Sequence, residues 1–225
     1  MSDTGSISVI LAESHPVFRA GIRTFLIEAP EIVVVAETDD SHAARDLTLN
    51  HRPDVLLLDL FLTAPRPTHT VRSLCRKCAE TEVLLLTAHN RYAYLWAMTD
   101  AGAAGCFVKD EASESLVETV RRVANGLPLH NSRQLRLAQT WHEQVGRRWS
   151  RLTEREREVL RYLGRFHTNT EIGEMLGISD KTVGHHVQHI LRKLAVSSRR
   201  EAGRWAIEHL DELDFGRGEK ENSLF

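Results

Sequence analysis

The sequence "DVLLLD", residues 54–59, is a short apolar run that begins and ends with an aspartate. Consecutive valine and leucine residues in a run of this length are typical of a strand that is covered on both faces of a parallel sheet. A carboxylate at the buried end of such a strand is costly unless it is paired or performs chemistry. Asp59 is therefore the first candidate functional residue.

Four more apolar runs accompany this one, and amphipathic, helix-like segments separate them. Alternation of short strands with helical patterns indicates a parallel sheet with helices on both faces. We therefore predict an α/β doubly wound, five-stranded parallel sheet within residues 7–127. The other four runs are "SVILA" (8–12), "IVVVAE" (32–37), "EVLLLT" (82–87) and "GCFVK" (105–109).

Polar side chains follow the carboxyl ends of four of these strands, where an open parallel sheet collects ligands and chemistry. Together they would place two acids, two hydroxyls and an ammonium in one cleft. A carboxylate can accept a phosphoryl group covalently, and a lysine with a metal ion can neutralise the charge of the transferred group. The pattern indicates phosphoryl chemistry at Glu13, Ser14, Asp59, Thr87 and Lys109.

Residues 7–127 resemble the receiver domain of two-component response regulators, through "ILAESHPVFRAGI", "PDVLLLDL", "VLLLTA" and "GAAGCFVKD". The resemblance implies a flavodoxin-like fold and a sensor histidine kinase as phosphodonor. It makes Asp59 the phosphoacceptor and puts Glu13 and Ser14 at the positions of the acidic pair. Thr87 would be the switch hydroxyl and Lys109 the phosphate-contacting lysine, and Glu13 and Asp59 would hold Mg²⁺.

Three departures from the receiver pattern predict an atypical receiver. Ser14 replaces an acid that would ligate Mg²⁺ directly, and a neutral hydroxyl is a poor ligand for a hard cation. Thr63 stands where a proline is usual. Cys106 takes the place of the aromatic that moves with the switch hydroxyl, and Phe107 would point to the other face of the strand.

The C-terminal part predicts a small all-α domain over residues 150–210, joined by a linker (128–149) and followed by an acidic tail (211–225). Thr153 and Glu156 form a capping-box pattern at the start of its first helix. Gly177 then permits a sharp turn, and Ser179 is placed to cap the next helix. A helix, a tight turn and a second helix indicate a helix-turn-helix unit.

The second helix of this unit has one apolar face, formed by Val183, Val187, Ile190, Leu191 and Leu194, and one polar face. The segment resembles the LuxR-type DNA-binding domain through "LTEREREVL", "NTEIGEMLGISDKTV" and "HILRKL". The resemblance implies binding to double-stranded DNA and dimerisation through the last helix, near "RREAGRWAIEHL". The implied DNA-binding residues are Lys181, Thr182, His185, Gln188, His189 and Arg192.

Two features of this helix predict unusual DNA binding. Gly184 lowers helix stability and places no charge in the groove. His185, His186 and His189 can gain positive charge near pH 6. We expect the affinity for DNA to be weak for this type of domain and to depend on pH.

Composition fits a cytoplasmic regulator. Hydrophobic residues make up 42% and charged residues 27% of 225 residues, and the net charge is −2. No run is long enough to cross a membrane, no secretory signal is evident, and three cysteines suggest a reducing compartment. Residues 151–206 carry 11 basic and 7 acidic side chains, which suits an anionic partner.

Two further sequence features suggest other functions. Cys75 and Cys78 form a CxxC pair, but zinc would need two more ligands. "DLFLT" (59–63) resembles the DxDxT motif of aspartate-nucleophile phosphatases, yet Phe61 stands where their general acid must be, so no enzyme is predicted. The main alternative is a receiver that acts independently of phosphorylation. Such a receiver would be a constitutive dimer, or would be controlled by a small ligand or a protein partner.

Overall fold

The computed structural model describes residues 5–64, 67–88, 91–110, 113–127, 129–130 and 132–213. It divides into two compact units, Met1–Ala138 and Gln139–Phe225. Within the described residues, no helix is both long and apolar enough to cross a bilayer.

The N-terminal unit contains the predicted sheet of five parallel strands, in the order β2-β1-β3-β4-β5. The order reverses direction between β1 and β3, which creates a crevice at the carboxyl ends of these two strands. The doubly wound fold is thus confirmed. The strands are β1 Ile7–Ala12, β2 Ile32–Thr38, β3 Val55–Asp59, β4 Glu82–Thr87 and β5 Gly105–Val108.

Helices cover both faces of the sheet. α1 and α5 contact one face, while α2, α3 and α4 contact the other. This arrangement explains why all five residues of β3 are buried. The helices are α1 Pro16–Ile27, α2 Ser41–His51, α3 Pro67–Lys77, α4 Tyr92–Ala101 and α5 Ser113–Ala124, and a 3₁₀ turn, Leu60–Thr63, follows β3.

The core between the sheet and α1 and α5 is built from alternate strand residues, as the two-residue period of a strand requires. Leu57, Leu84 and Leu86 are fully buried there, and Phe107 joins them from β5. Phe107 therefore points into this core, as predicted, and Cys106 next to it does not belong to the same cluster.

The described part of the C-terminal unit contains helices joined by short turns and no strand. The capping box of Thr153 and Glu156 and the Ser179 cap are confirmed, and Gly177 adopts a left-handed φ of 65° in the turn between α9 and α10. A second capping box, Thr168 with Glu171, was not predicted, although its spacing is visible in the sequence. The helices are α6 Ser132–Trp141, α7 Arg147–Ser150, α8 Glu154–Gly164, α9 Asn169–Leu176, α10 Asp180–Leu194 and α11 Arg199–Leu213, with a π-helical turn, His142–Gly146, between α6 and α7.

Most of the segment interpreted as a linker, residues 128–149, is helical in the described part. Val145 is buried in the C-terminal core, and Trp141 and Trp149 pack against that core. The end of this segment thus contributes to the C-terminal unit. Helix α11 includes the first three residues of the acidic tail, and residues 214–225 of the tail lie outside the described residues.

Candidate phosphoacceptor pocket and DNA-binding surface

Four of the predicted pocket residues meet in direct contact at the carboxyl edge of the sheet. Lys109 Nζ lies 2.8 Å from Glu13 Oε2 and 3.0 Å from Asp59 Oδ1. Ser14 Oγ donates to Asp59 Oδ2 at 2.5 Å. These side chains follow β1, β3 and β5, so the parallel topology brings together residues almost 100 positions apart.

Asp59 is buried, with 2% of its surface exposed, and both carboxylate oxygens are occupied. Oδ1 also accepts from the backbone N–H of Phe61 at 3.2 Å, and Oδ2 accepts from the N–H of Ser14 at 3.4 Å. Burial raises the pKa of Asp59, but the hydrogen bond from Ser14 and the charge of Lys109 outweigh it, so the pKa is lowered. Asp59 is therefore ionised at neutral pH, as a nucleophile must be.

Glu13 is completely buried beside Asp59. Its Oε1 accepts from the backbone N–H of His15 at 3.0 Å and lies 3.2 Å from His15 Nδ1. Arg19 donates to the Glu13 carbonyl at 2.6 Å, which fixes the backbone at the end of β1. Lys109 Nζ lies 5.3 Å from the centre of the Phe18 ring, so α1 also helps to hold the ammonium.

Thr87 lies at the end of β4, the neighbour of β3, and is buried. Its carbonyl accepts from the N–H of Lys109 at 2.8 Å, which holds β4 and β5 in register just below the pocket. The structure thus places Thr87, the residue predicted to carry the switch hydroxyl, at the same sheet edge as Asp59 and Lys109.

The two other departures from the receiver pattern have defined local roles. Thr63 Oγ1 donates to the Leu60 carbonyl at 2.5 Å, which closes the 3₁₀ turn after Asp59. Cys106 is a half-buried residue whose backbone N–H donates to His130 Nε2 at 3.0 Å. Burial raises the pKa of the Cys106 thiol to about 12, so the thiol stays protonated.

One candidate ligand in this pocket was not predicted from the sequence. Glu13, His15 and Asp59 each offer a ligand atom, and the three atoms lie within 4.8 Å of one another. The only signal in the sequence was that His15 directly follows the predicted pair. The donors do not suit Mg²⁺, which prefers an octahedral shell of oxygens. Here the imidazole is one donor, and Ser14 already donates its hydroxyl hydrogen to Asp59.

Within the described part of the chain, the CxxC cysteines do not form a second site. Cys75 lies on α3 and Cys78 directly follows it, and both are free thiols. Among the residues that the structure describes, neither belongs to a group of three side chains able to bind a metal. Burial raises the pKa of Cys75 to about 11, which disfavours the reactive thiolate.

In the C-terminal unit, α10 presents the predicted DNA-binding surface. Its apolar face is buried through Val183, Val187, Ile190 and Leu194, while Leu191 packs against the core and is half-buried. The six predicted DNA-binding residues are all exposed on the remaining surface of the helix. They are Lys181, Thr182, His185, Gln188, His189 and Arg192.

An ion pair fixes α10 against α8. Lys193 Nζ lies 2.6 Å and 2.9 Å from the two carboxylate oxygens of Glu156, which is 2% exposed. His189 Nδ1 is 3.6 Å from the same carboxylate. Burial raises the pKa of Glu156, but Lys193 and the capping-box bonds from Thr153 outweigh it, so the pKa is lowered. Sequence reasoning found Glu156 only as a cap and did not anticipate this pair.

The three histidines of α10 differ in their surroundings. Burial lowers the pKa of His186, and the positive charge of Arg155 adds to this, although Glu156 acts in the opposite direction. The protonated form of His186 is therefore disfavoured. His185 and His189 are exposed.

Comparison with known proteins supports the assignment of both domains. The family described as response regulator receiver domain matches residues 9–121, and the family of bacterial regulatory proteins, luxR family, matches residues 150–206. The nitrate/nitrite response regulator protein NarP of Escherichia coli (strain K12) is 34% identical over 202 residues, which cover 88% of this chain and 94% of NarP. The transcriptional regulatory protein DegU of Brevibacillus brevis is 30% identical over 214 residues, covering 87% and 91% of the two chains.

Solved structures give the same result. The response regulator ChrA of a heme-sensing two-component system is 30% identical and covers 92% of this chain and 98% of its own, with a TM-score of 0.53. A two-component response regulator RcsB–DNA complex is 25% identical and covers 93% of this chain and all of its own, with a TM-score of 0.57. With the receiver pocket and the helix-turn-helix surface both in place, this chain belongs to the NarL/LuxR-type response regulators, which are DNA-binding transcription regulators.

Proposed function

We propose that the receiver domain controls dimerisation and DNA binding through phosphorylation of Asp59. The observation that carries the proposal is the ionised, buried carboxylate of Asp59 in contact with the ammonium of Lys109 at 3.0 Å. A nucleophile and a neutralising cation are the groups that phosphoryl transfer to a carboxylate requires. A sensor histidine kinase is the proposed physiological donor.

In this reaction an oxygen of Asp59 attacks the phosphorus of the donor. With acetyl phosphate as donor, the P–O bond to acetate breaks, and acetate leaves with the bonding electron pair. Lys109 then compensates the added negative charge, and Thr87 is the hydroxyl proposed to contact the new group. Ser14 has to release Asp59 Oδ2 if that oxygen reacts, because its hydrogen bond occupies the lone pair. This requirement predicts slow phosphorylation.

For DNA recognition, we propose that α10 enters the major groove. The exposed side chains on this helix are donors suited to phosphates and to base edges. Two such helices from a dimer would contact half-sites one helical turn apart. Helix α11 is the proposed dimer contact, and the exposure of 54% of Ile207 supports it, since apolar groups of this size favour burial.

The test is phosphorylation of the purified full-length chain by acetyl phosphate, measured by intact mass spectrometry. We expect a gain of about 80 Da, the mass of one phosphoryl group, in the wild-type protein. Asp59→Asn should abolish the gain. Asp54→Asn, which changes the acid at the other end of "DVLLLD", should keep it, because the Asp54 carboxylate accepts hydrogen bonds from Ser8 at the end of the strand far from the pocket. A gain that survives Asp59→Asn would refute the proposal.

A second candidate function, control without phosphate, is favoured by an apolar cavity of about 370 Å³ between α1 and the sheet. Phe18, Phe25 and Phe107 line it, and Lys109 lies at its edge. This volume is within the usual range of ligand pockets. A small, mainly apolar ligand bound in this cavity would lie against Lys109 and could change its position. If Asp59→Asn leaves regulated DNA binding unchanged, this second candidate replaces the first.

A further inference from the structure

The pocket around Asp59 contains an imidazole in addition to its carboxylates. His15 occupies the cap position at the start of α1, yet its side chain makes no capping hydrogen bond. Its Nδ1 instead lies 3.2 Å from Glu13 Oε1 and 3.1 Å from Ser14 Oγ. The His15 side chain is 70% exposed, so a hydrated ion can approach it from solvent, whereas Glu13 is fully buried.

The spacing of the donors suits one metal ion. The ligand atoms of Glu13, His15 and Asp59 lie within 4.8 Å of one another. Bonds of about 2.1 Å to a transition metal place pairs of ligands roughly 3–4 Å apart. The three atoms are therefore slightly farther apart than the ligands of a bound ion, and the exposed His15 side chain is the one of the three that is free of burial.

The charge and chemistry of the pocket then decide which ion it prefers. Two carboxylates and the ammonium of Lys109 leave one net negative charge, because Ser14 adds none. Mg²⁺ depends on oxygen ligands and is bound weakly where a carboxylate is missing. Imidazole nitrogen favours the later divalent transition metals, whose affinity for nitrogen donors is much higher.

We propose that this pocket binds a divalent transition-metal ion in preference to Mg²⁺, with His15 Nδ1 as a ligand beside the carboxylates of Glu13 and Asp59. The inference deepens the proposed phosphoacceptor function by naming the class of ion and the residue that replaces the missing acid. When bound, the ion would neutralise negative charge at the two carboxylates.

Titration of the full-length chain with Co²⁺ and with Mg²⁺, by calorimetry and by proton NMR, tests this proposal. We expect Co²⁺ to bind at least about tenfold more tightly than Mg²⁺. Co²⁺ should also shift the ring N–H signal of one metal-bound histidine far outside the normal range. His15→Gln should remove that signal and weaken Co²⁺ binding at the pocket by about tenfold or more.

Two further variants distinguish metal binding by His15 from metal binding elsewhere on the chain. His42→Gln changes an exposed histidine in the first turn of α2 and should leave the shifted signal unchanged. Ser14→Asp should strengthen Mg²⁺ binding because it restores an acid. Tighter binding of Mg²⁺ than of Co²⁺ in the wild type, or a shifted signal that survives His15→Gln, would overturn the proposal.

The same experiment distinguishes this inference from the proposed function, since metal binding is measured without a phosphodonor. Co²⁺ binding through His15 together with no mass gain at Asp59 would support the metal site and refute the phosphorylation. Efficient mass gain with Mg²⁺ and no histidine signal with Co²⁺ would support the phosphorylation and refute the metal site.

Discussion

Replacement of Gly184 by alanine should stabilise the recognition helix α10. Gly184 lies inside the helix, and a Cβ atom there would meet only Asn169 Nδ2, at an ordinary contact distance of 3.6 Å. Glycine within a helix costs about 0.5–1 kcal/mol relative to alanine, mainly in the entropy of the unfolded chain. We therefore expect Gly184→Ala to raise the free energy of unfolding of the C-terminal unit by about 0.5–1 kcal/mol.

Gly173 on α9 supplies a matched control for the same substitution. A Cβ atom at Gly173 would lie 2.6 Å from the carbonyl oxygen of Ile178, a backbone atom in the turn between α9 and α10. The turn would have to open to admit it. Gly173→Ala should therefore destabilise the unit by about 1–3 kcal/mol, the usual cost of overpacking.

Thermal unfolding of the full-length chain, followed by tryptophan fluorescence, measures both effects. Of the four tryptophans, three lie in the C-terminal unit, Trp141, Trp149 and Trp205, so the signal reports mainly on this unit. The gain expected for Gly184→Ala corresponds to an increase in Tm of roughly 2–8 °C for a unit of this size. A lower Tm for Gly184→Ala would show that the backbone at Gly184 is not helical as described, and a higher Tm for Gly173→Ala would refute the close contact with Ile178.

Three further predictions concern the charged groups. Lys109→Met should destabilise the receiver by about 3 kcal/mol in urea unfolding, because it leaves two buried carboxylates unpaired, and adding Asp59→Asn should recover part of the loss. Because the pKa of Glu156 is lowered in the folded state, its contribution is present above the ordinary value of about 4.3 and is lost as the pH falls through the lower folded value. Glu156→Gln should thus cost about 1–3 kcal/mol at pH 7 and little in acid, as measured by urea unfolding at both pH values. Affinity for DNA, measured by fluorescence anisotropy, should rise from about pH 8 to about pH 6, and a flat profile over this range would refute the pH dependence predicted from the sequence of α10.

Much of this architecture was predictable because the signals are local. Strand runs, helix periods and caps depend on neighbouring residues, and the two capping boxes and the Gly177 turn follow short sequence patterns. The convergence of Glu13, Asp59, Thr87 and Lys109 could also be predicted, since parallel strands bring their carboxyl ends to one edge.

Other features carry no such local signal. Phe166 has a left-handed φ of 63° and is 74% exposed, and nothing in its sequence neighbourhood predicts a bulky residue in that conformation. The helical content of the segment interpreted as a linker and its packing through Val145 likewise depend on the C-terminal core.

The sequence by itself therefore determined the two domains, the polar residues at the carboxyl ends of the strands and the polar face of the recognition helix. Only the tertiary structure decided that Ser14 bonds to Asp59, that His15 turns towards Glu13, and that Lys193 neutralises the buried Glu156. The physical reason is that each of these contacts depends on side-chain rotamers and on the distance between separate elements. Packing of the whole domain sets both, whereas the patterns along the chain set only which residues face the same edge or the same core.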